Sequence, residues 1–348
     1  MRSLMAKLFW VCLCVCVLWM PHQVYALKVT KVAEWKVKGS HEGARWSADG
    51  KRILYSHRSG KTRALSLFFL KTKASKQIAK GTLVFYPSFG PVGTVFAGPP
   101  KQPNWKGVLF ASKKPKGKKA PKKPTPVTSG IVMWGYGKKS ILFPGWKPQY
   151  SAIARKLLFE FKGIMYLWDP MKSRRKGLMI LGRGVAPVWS GDGRAIAFQK
   201  TPFLIKKGVP SGGGVVIVDM LFRAARVAKV GGQITWAGDT QSLAYVSVVK
   251  KPPFVNGTTG VYWKPLKGKK KPILLAMQAH QPHMPPTNIF SSDWVAYTDH
   301  VGVWVMNIQK KQKTLVAKGA SHPRWSSDGL LLVKQRDTYV VYKPHILR

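Results

Sequence analysis

Beyond its first 26 residues the chain has no cysteine, because Cys12, Cys14 and Cys16 all lie in the N-terminal apolar stretch. Disulfides, thiol nucleophiles and Cys-ligated zinc are therefore excluded from the body of the protein. Acid is nearly as scarce: 12 Asp and Glu stand against 59 Lys and Arg, and the only glutamates are Glu34, Glu42 and Glu160. Carboxylate pairs for glycoside hydrolysis are thus almost lacking, with Glu160 and Asp169 the one loose candidate. No apolar run after the N-terminal stretch approaches the roughly twenty residues of a membrane helix. Gly212-Gly213-Gly214 is followed by no Gly-Lys-Ser/Thr, so it is no phosphate loop.

Residues 1–26 have the three parts of a secretory signal. Arg2 and Lys7 come first, an apolar run follows, and Val24-Tyr25-Ala26 resembles an A-x-A cleavage site. A mature chain beginning at Leu27 is expected, in the periplasm or, as the alternative, secreted to the outside. It would carry about +45, a field that concentrates anionic ligands near the surface. Lys chosen for solubility explains the same excess.

What the sequence has in abundance is repetition. Trp46-Ser47-Ala48-Asp49-Gly50, Trp189-Ser190-Gly191-Asp192-Gly193 and Trp325-Ser326-Ser327-Asp328-Gly329 share one pattern, and Trp236-Ala237-Gly238-Asp239-Thr240 is a weaker copy. Degenerate copies at Pro87-Ser88-Phe89-Gly90, Pro148-Gln149-Tyr150-Ser151 and Phe290-Ser291-Ser292-Asp293 bring the total to seven. A short apolar segment such as Ile53-Leu54-Tyr55 or Ile196-Ala197-Phe198 follows each, then one or two more stretches rich in β-branched and aromatic residues. Four short strands every forty residues or so predict an all-β propeller of four-stranded blades, seven by count with six as the alternative. The last unit lacks an outer strand. Glu34-Trp35-Lys36-Val37-Lys38-Gly39, which leads into Trp46 much as Leu315-Val316-Ala317-Lys318-Gly319 leads into Trp325, supplies it and closes the ring.

Each motif residue has a mechanical reading. Trp46, Trp189, Trp236 and Trp325 wedge between blades, a burial worth a few kcal/mol or so. Asp49, Asp192, Asp239 and Asp328 bond the turn backbone, while Gly50, Gly193 and Gly329 accept positive φ. These residues are scaffold and not catalytic candidates.

The Trp-Ser-x-Asp-Gly stretches, each followed by its short apolar strand, resemble the repeat of TolB-like propellers, the WD40-like PD40 family. The resemblance covers essentially all of residues 27–348 and implies one propeller domain. It departs from the family in two respects. No N-terminal α/β domain is expected in the few residues before Trp46, and no Gly-x-Ser-x-Gly elbow of an appended hydrolase is present.

Candidate functional residues lie in what the motif positions. An insertion at about 99–129 carries Lys113, Lys114, Lys116, Lys118, Lys119, Lys122 and Lys123, a low-complexity basic run suited to a polyanion or an acidic partner. His41, His283 and His322 precede the first, sixth and seventh motifs, in blades that a closed ring makes consecutive. Three neutral imidazoles there could hold a transition metal. The main expectation is a non-catalytic, monomeric binding scaffold without a cofactor, its partner an envelope protein, an anionic polymer or a lipid headgroup. An exported chain disfavours nucleic acid. The alternative is a metal-dependent lyase or hydrolase acting on an anionic carbohydrate at the funnel.

Overall fold

A computed structural model describes residues 27–37, 41–59, 62–81, 85–89, 94–98, 130–135, 138–206, 209–221, 223–249, 258–268, 270–285, 290 and 293–346. They form seven four-stranded antiparallel sheets and one extra hairpin. Blade 1 comprises His41–Trp46, Arg52–Ser59, Thr62–Phe69 and Ala74–Gly81. Blade 2 comprises Phe85–Phe89, Thr94–Gly98, Gly130–Gly135 and Lys138–Pro144, and blade 3 Trp146–Ser151, Lys156–Phe161, Ile164–Trp168 and Leu178–Arg183. Blade 4 uses Val185–Trp189, Ala195–Gln199, Val215–Asp219 and Ala224–Ala228. Blade 5 uses Gly232–Trp236, Ser242–Val248, Thr259–Pro265 and Ile273–Met277, and blade 6 His280–His283, Trp294–Thr298, Gly302–Asn307 and Gln312–Lys318.

Blade 7 draws on both ends of the chain. Ala320–Trp325, Leu331–Gln335 and Thr338–Ile346 are followed in the sheet by Leu27–Lys36. Leu27 pairs with Ile346 and Lys36 with Thr338, with a register shift between Lys31 and Ala33. Trp35 completes the closure by stacking on Phe68 of blade 1 at 3.9 Å and packing against Tyr339 of blade 7. The first strands of the seven sheets touch in an unbroken cycle, the seventh meeting the first. A seven-bladed ring around a central channel is the result.

The hydrophobic core lies between blades. One cluster joins Ala44, Ile53 and Phe68 of blade 1 to Leu332 and Val341 of blade 7, and another joins Leu158 and Leu167 of blade 3 to Ile196 and Phe198 of blade 4. Stacking apolar sheet faces in this way removes both from water, and the closed ring leaves only short outer edges.

The motif turns behave as the sequence predicts. The Ser47 hydroxyl accepts the Arg52 N–H at 3.0 Å, Asp49 accepts the Lys51 N–H at 3.1 Å, and Gly50 takes φ +65°. Ser190, Asp192 and Gly193 repeat the arrangement in blade 4. Thr240 takes φ +59° where the other copies have glycine, and its hydroxyl donates to Asp192 of the preceding blade at 3.2 Å. Two features have no forerunner in the repeat: a hairpin, Phe203–Lys206 with Val209–Gly212, inserted in blade 4, and a helical turn at Arg174–Gly177 in blade 3.

Candidate functional site

Register identifies a layer of equivalent residues around the channel, each immediately before the Trp position of its blade. Arg45 pairs with Leu54, Gln149 with Leu158, Val188 with Ala197, Thr235 with Ala244, His283 with Ala296 and Arg324 with Leu332. The motif tryptophans hold this layer from behind. Trp46 donates its indole N–H to the Arg324 carbonyl at 2.9 Å, Trp325 to the His283 carbonyl at 3.1 Å, Trp189 to Gln149 at 3.2 Å and Trp236 to Val188 at 3.3 Å. Every stitch runs from one blade to the one before it. The scaffold residue of one repeat thus fixes the channel residue of the previous repeat.

Three residues before the Trp position the strand bulges, and the backbone turns left-handed. Gly43, Lys147, Ala186, Gln233, Gln281 and His322 all have φ between +50° and +81°. Bulges of this kind re-aim side chains at a strand end, here at the mouth opposite the motif turns.

The channel contains two chambers that share Arg45, Gln149, Val188 and Ile234. The larger, about 440 Å³, extends toward the motif turns and is lined by residues of all seven blades, among them Arg45, Arg324, His283, Tyr150, Thr235 and Ser326. The smaller, about 220 Å³, lies toward the bulged mouth and adds Lys147, Gln199 and Gln233. Among the described residues, no aspartate or glutamate lines either.

The cationic side of the layer is continuous: His283, Arg324 and Arg45 belong to blades 6, 7 and 1, which are neighbours. Both arginines are half-buried and line the large chamber. Among the described residues neither has a carboxylate within ion-pair distance. Arg324 Nη1 donates to the Pro323 carbonyl at 3.3 Å. Burial, and then the charge of Arg45, pull the Arg324 guanidinium down to about 9, and burial lowers Arg45 as well. His283 is held neutral, far below its ordinary value, by burial first and then by Arg324 and Arg45. Its Nδ1 accepts the Trp325 backbone N–H at 3.3 Å, which leaves Nε2 as the protonated nitrogen.

His322 sits at the bulged mouth in a closed network. Gln281 Oε1 accepts the His322 backbone N–H at 2.9 Å and the Thr298 hydroxyl at 3.3 Å, so the Gln281 amide nitrogen donates to His322 Nε2 at 2.9 Å. Nδ1 lies 2.9 Å from the Ser321 hydroxyl. Both ring nitrogens are engaged. Burial, then Arg324, Lys334 and His280, push this imidazole down to about 4.

Of the three histidines predicted as metal ligands, His283 therefore lines the large chamber while His322 is committed at the mouth. The His41 side chain lies outside the described residues. Among the described residues no group of three or more His, Cys, Asp or Glu is arranged to hold a metal. The lysines from Lys113 to Lys123, namely Lys113, Lys114, Lys116, Lys118, Lys119, Lys122 and Lys123, also lie outside the described residues. Sequence reasoning missed Arg45 and Arg324. Their common place, just before Trp46 and Trp325 in the first and last units, was the available sign.

With this geometry in view, solved structures supply a comparison of shape. An oligogalacturonate lyase from Vibrio parahaemolyticus superposes with a TM-score of 0.57 at 12% identity, covering 92% of this chain and 94% of that one. The propeller domain of the Trilobed protease from Pyrococcus furiosus gives 0.57 at 12%, covering 88% and 97%. The likeness is one of fold. TolB from Acinetobacter baumannii gives 0.46 at 14%, covering 86% of this chain and 65% of that one. No family model and no curated protein matches the chain.

Proposed function

We propose that the protein is a non-catalytic binding propeller of the cell envelope, whose central channel receives an anionic group, carboxylate or phosphate, carried by an envelope protein or polymer. One observation carries this reading: Arg45 and Arg324 line a single chamber that has no aspartate or glutamate among its described lining residues. Two buried like charges oppose each other and oppose folding, and a bound anion relieves both effects. The planar donors of a guanidinium match a carboxylate or phosphate in bidentate fashion. His283, neutral and with its Nε2 protonated, adds a donor without adding charge. The basic surface raises the local concentration of such ligands, and the signal-like residues 1–26 agree with an envelope partner.

The test is isothermal titration of an acidic polysaccharide and of an acidic peptide into wild type and into the Arg45→Gln/Arg324→Gln variant. Wild type is expected to bind at least one of them, with affinity falling as salt rises, and the variant to lose tenfold or more in affinity. Equal binding by both proteins would remove the channel from the account.

A further inference from the structure

The face carrying the motif turns has a second feature, independent of the channel. In an antiparallel blade the loop joining strands one and two and the loop joining strands three and four emerge at the same end. Register makes the third-to-fourth-strand loops directly comparable. One residue after the strand position opposite the first apolar residue, the chain places Phe69, Asp169, Asp219, Pro265 and Asn307 in blades 1, 3, 4, 5 and 6. Two residues further on, the outward position holds Lys71, Lys267 and Gln309 in blades 1, 5 and 6, but Met171 and Leu221 in blades 3 and 4. Both apolar residues are presented by the same device. The Asp169 carboxylate accepts the Met171 N–H at 3.0 Å, and Asp219 accepts the Leu221 N–H at 2.9 Å.

The first turn of blade 3 makes a third such exchange. There Ile153 occupies the place that Asp49, Asp192 and Asp328 hold in the intact motifs, two residues after Ser151. These three side chains are 67%, 81% and 72% exposed for Ile153, Met171 and Leu221. They stand at loop tips of adjacent blades, whose turns meet where Gly193 packs on Ala154. Three large, exposed apolar side chains on the turns of two adjacent blades are more than scattered surface exposure accounts for. Around them Arg155, Lys172, Lys176 and Arg194 are exposed, while Asp169 and Asp219 are consumed in ion pairs with Lys156 at 3.0 Å and Arg223 at 2.6 Å.

We infer that this corner of the turn face, built from Ile153, Met171 and Leu221 within a basic surround, docks on an anionic lipid surface. Protruding apolar side chains insert into the headgroup boundary while the surrounding cations meet lipid phosphates, and neither contribution alone gives stable attachment. Charge complementarity selects this occupant: a second copy of the chain would bring the same positive charge to the same corner.

Sedimentation of the mature chain with vesicles tests the inference. Vesicles containing about a quarter phosphatidylglycerol are expected to retain the protein, pure phosphatidylcholine vesicles to retain it weakly, and binding to decline with salt. Ile153→Ser/Met171→Ser/Leu221→Ser, which changes no charge, is expected to lower vesicle affinity roughly tenfold or more, with circular dichroism and thermal midpoint as in wild type. Lys172→Ser/Lys176→Ser, which leaves the apolar tips in place, is expected to lower it several-fold. Wild-type affinity in the triple variant would overturn the inference, since attraction would then be a property of net charge alone. So would a wild type that ignores phosphatidylglycerol and self-associates through these residues. Neither result bears on anion binding in the channel.

Discussion

The indole N–H of Trp46 donates to the carbonyl of Arg324 at 2.9 Å, so the tryptophan that marks one repeat holds the backbone beneath a channel arginine of the repeat before it. Trp46→Phe keeps an aromatic ring but loses this bond together with part of the indole's packing, leaving a carbonyl without its donor. Urea unfolding should report a loss of about 1–2 kcal/mol. Anion affinity should fall in the same variant, because Arg324 is no longer fixed. A stability loss with unchanged affinity would separate scaffold from site.

Trp35 closes the ring by lying between Phe68 of blade 1 and Tyr339 of blade 7. Trp35→Ala removes the contact that joins the two ends of the chain, and its expected cost is about 3–5 kcal/mol. Denaturant melts of this variant should lose stability without a change in the cooperativity of the transition. An early, separate unfolding step would mean that the ring does not unfold as one unit.

The repeat made the architecture legible before any coordinates. The spacing of Trp46, Trp189, Trp236 and Trp325 implied four-stranded units, and Trp35 in its unpaired segment implied the closure. These succeed because burial and turn geometry are local demands with local solutions. The channel site was not legible in the same way. Arg45 and Arg324 are 279 positions apart in sequence and meet only because the ring brings the first and last blades together. His283 and His322 stand on the expected blades, but the bulge of blade 7 falls on His322 itself and sends its imidazole to the mouth and into bonds with Gln281 and Ser321. The lipid-facing corner was visible only as degeneracy. Ile153 in the Asp position reads as a decayed motif until the fold shows where that position points.

pH should act through His322. Its imidazole takes a proton near its ordinary value in the unfolded chain but only near pH 4 in the folded one, because burial first, and then the charges of Arg324 and Lys334, disfavour the imidazolium. The stability it contributes is therefore complete above about pH 6.5 and is lost as pH falls toward 4. His322→Gln should flatten the stability profile between those values, as measured by chemical unfolding at a series of pH. An unchanged slope would assign the acid sensitivity to another group, His283 first.

Gly50 packs against the neighbouring turn so closely that an added Cβ would lie 2.7 Å from Asp328 Oδ2, and its φ is +65°. Gly50→Ala should cost about 1–3 kcal/mol, read as a lower midpoint in thermal unfolding. Gly43→Ala, at φ +81° with nothing within 4 Å, isolates the backbone part of that cost and should lose less.

On the proposed function, Arg45 and Arg324 are kept together for an anion and at the expense of stability. Thermal midpoints of wild type and Arg324→Gln, each with and without inorganic phosphate, test it most directly. Arg324→Gln is expected to melt higher than wild type in the absence of phosphate, by the equivalent of about 1 kcal/mol or more, and phosphate to raise the midpoint of wild type but not of the variant. A variant that melts lower than wild type without phosphate, and gains as much from phosphate as wild type does, would contradict it.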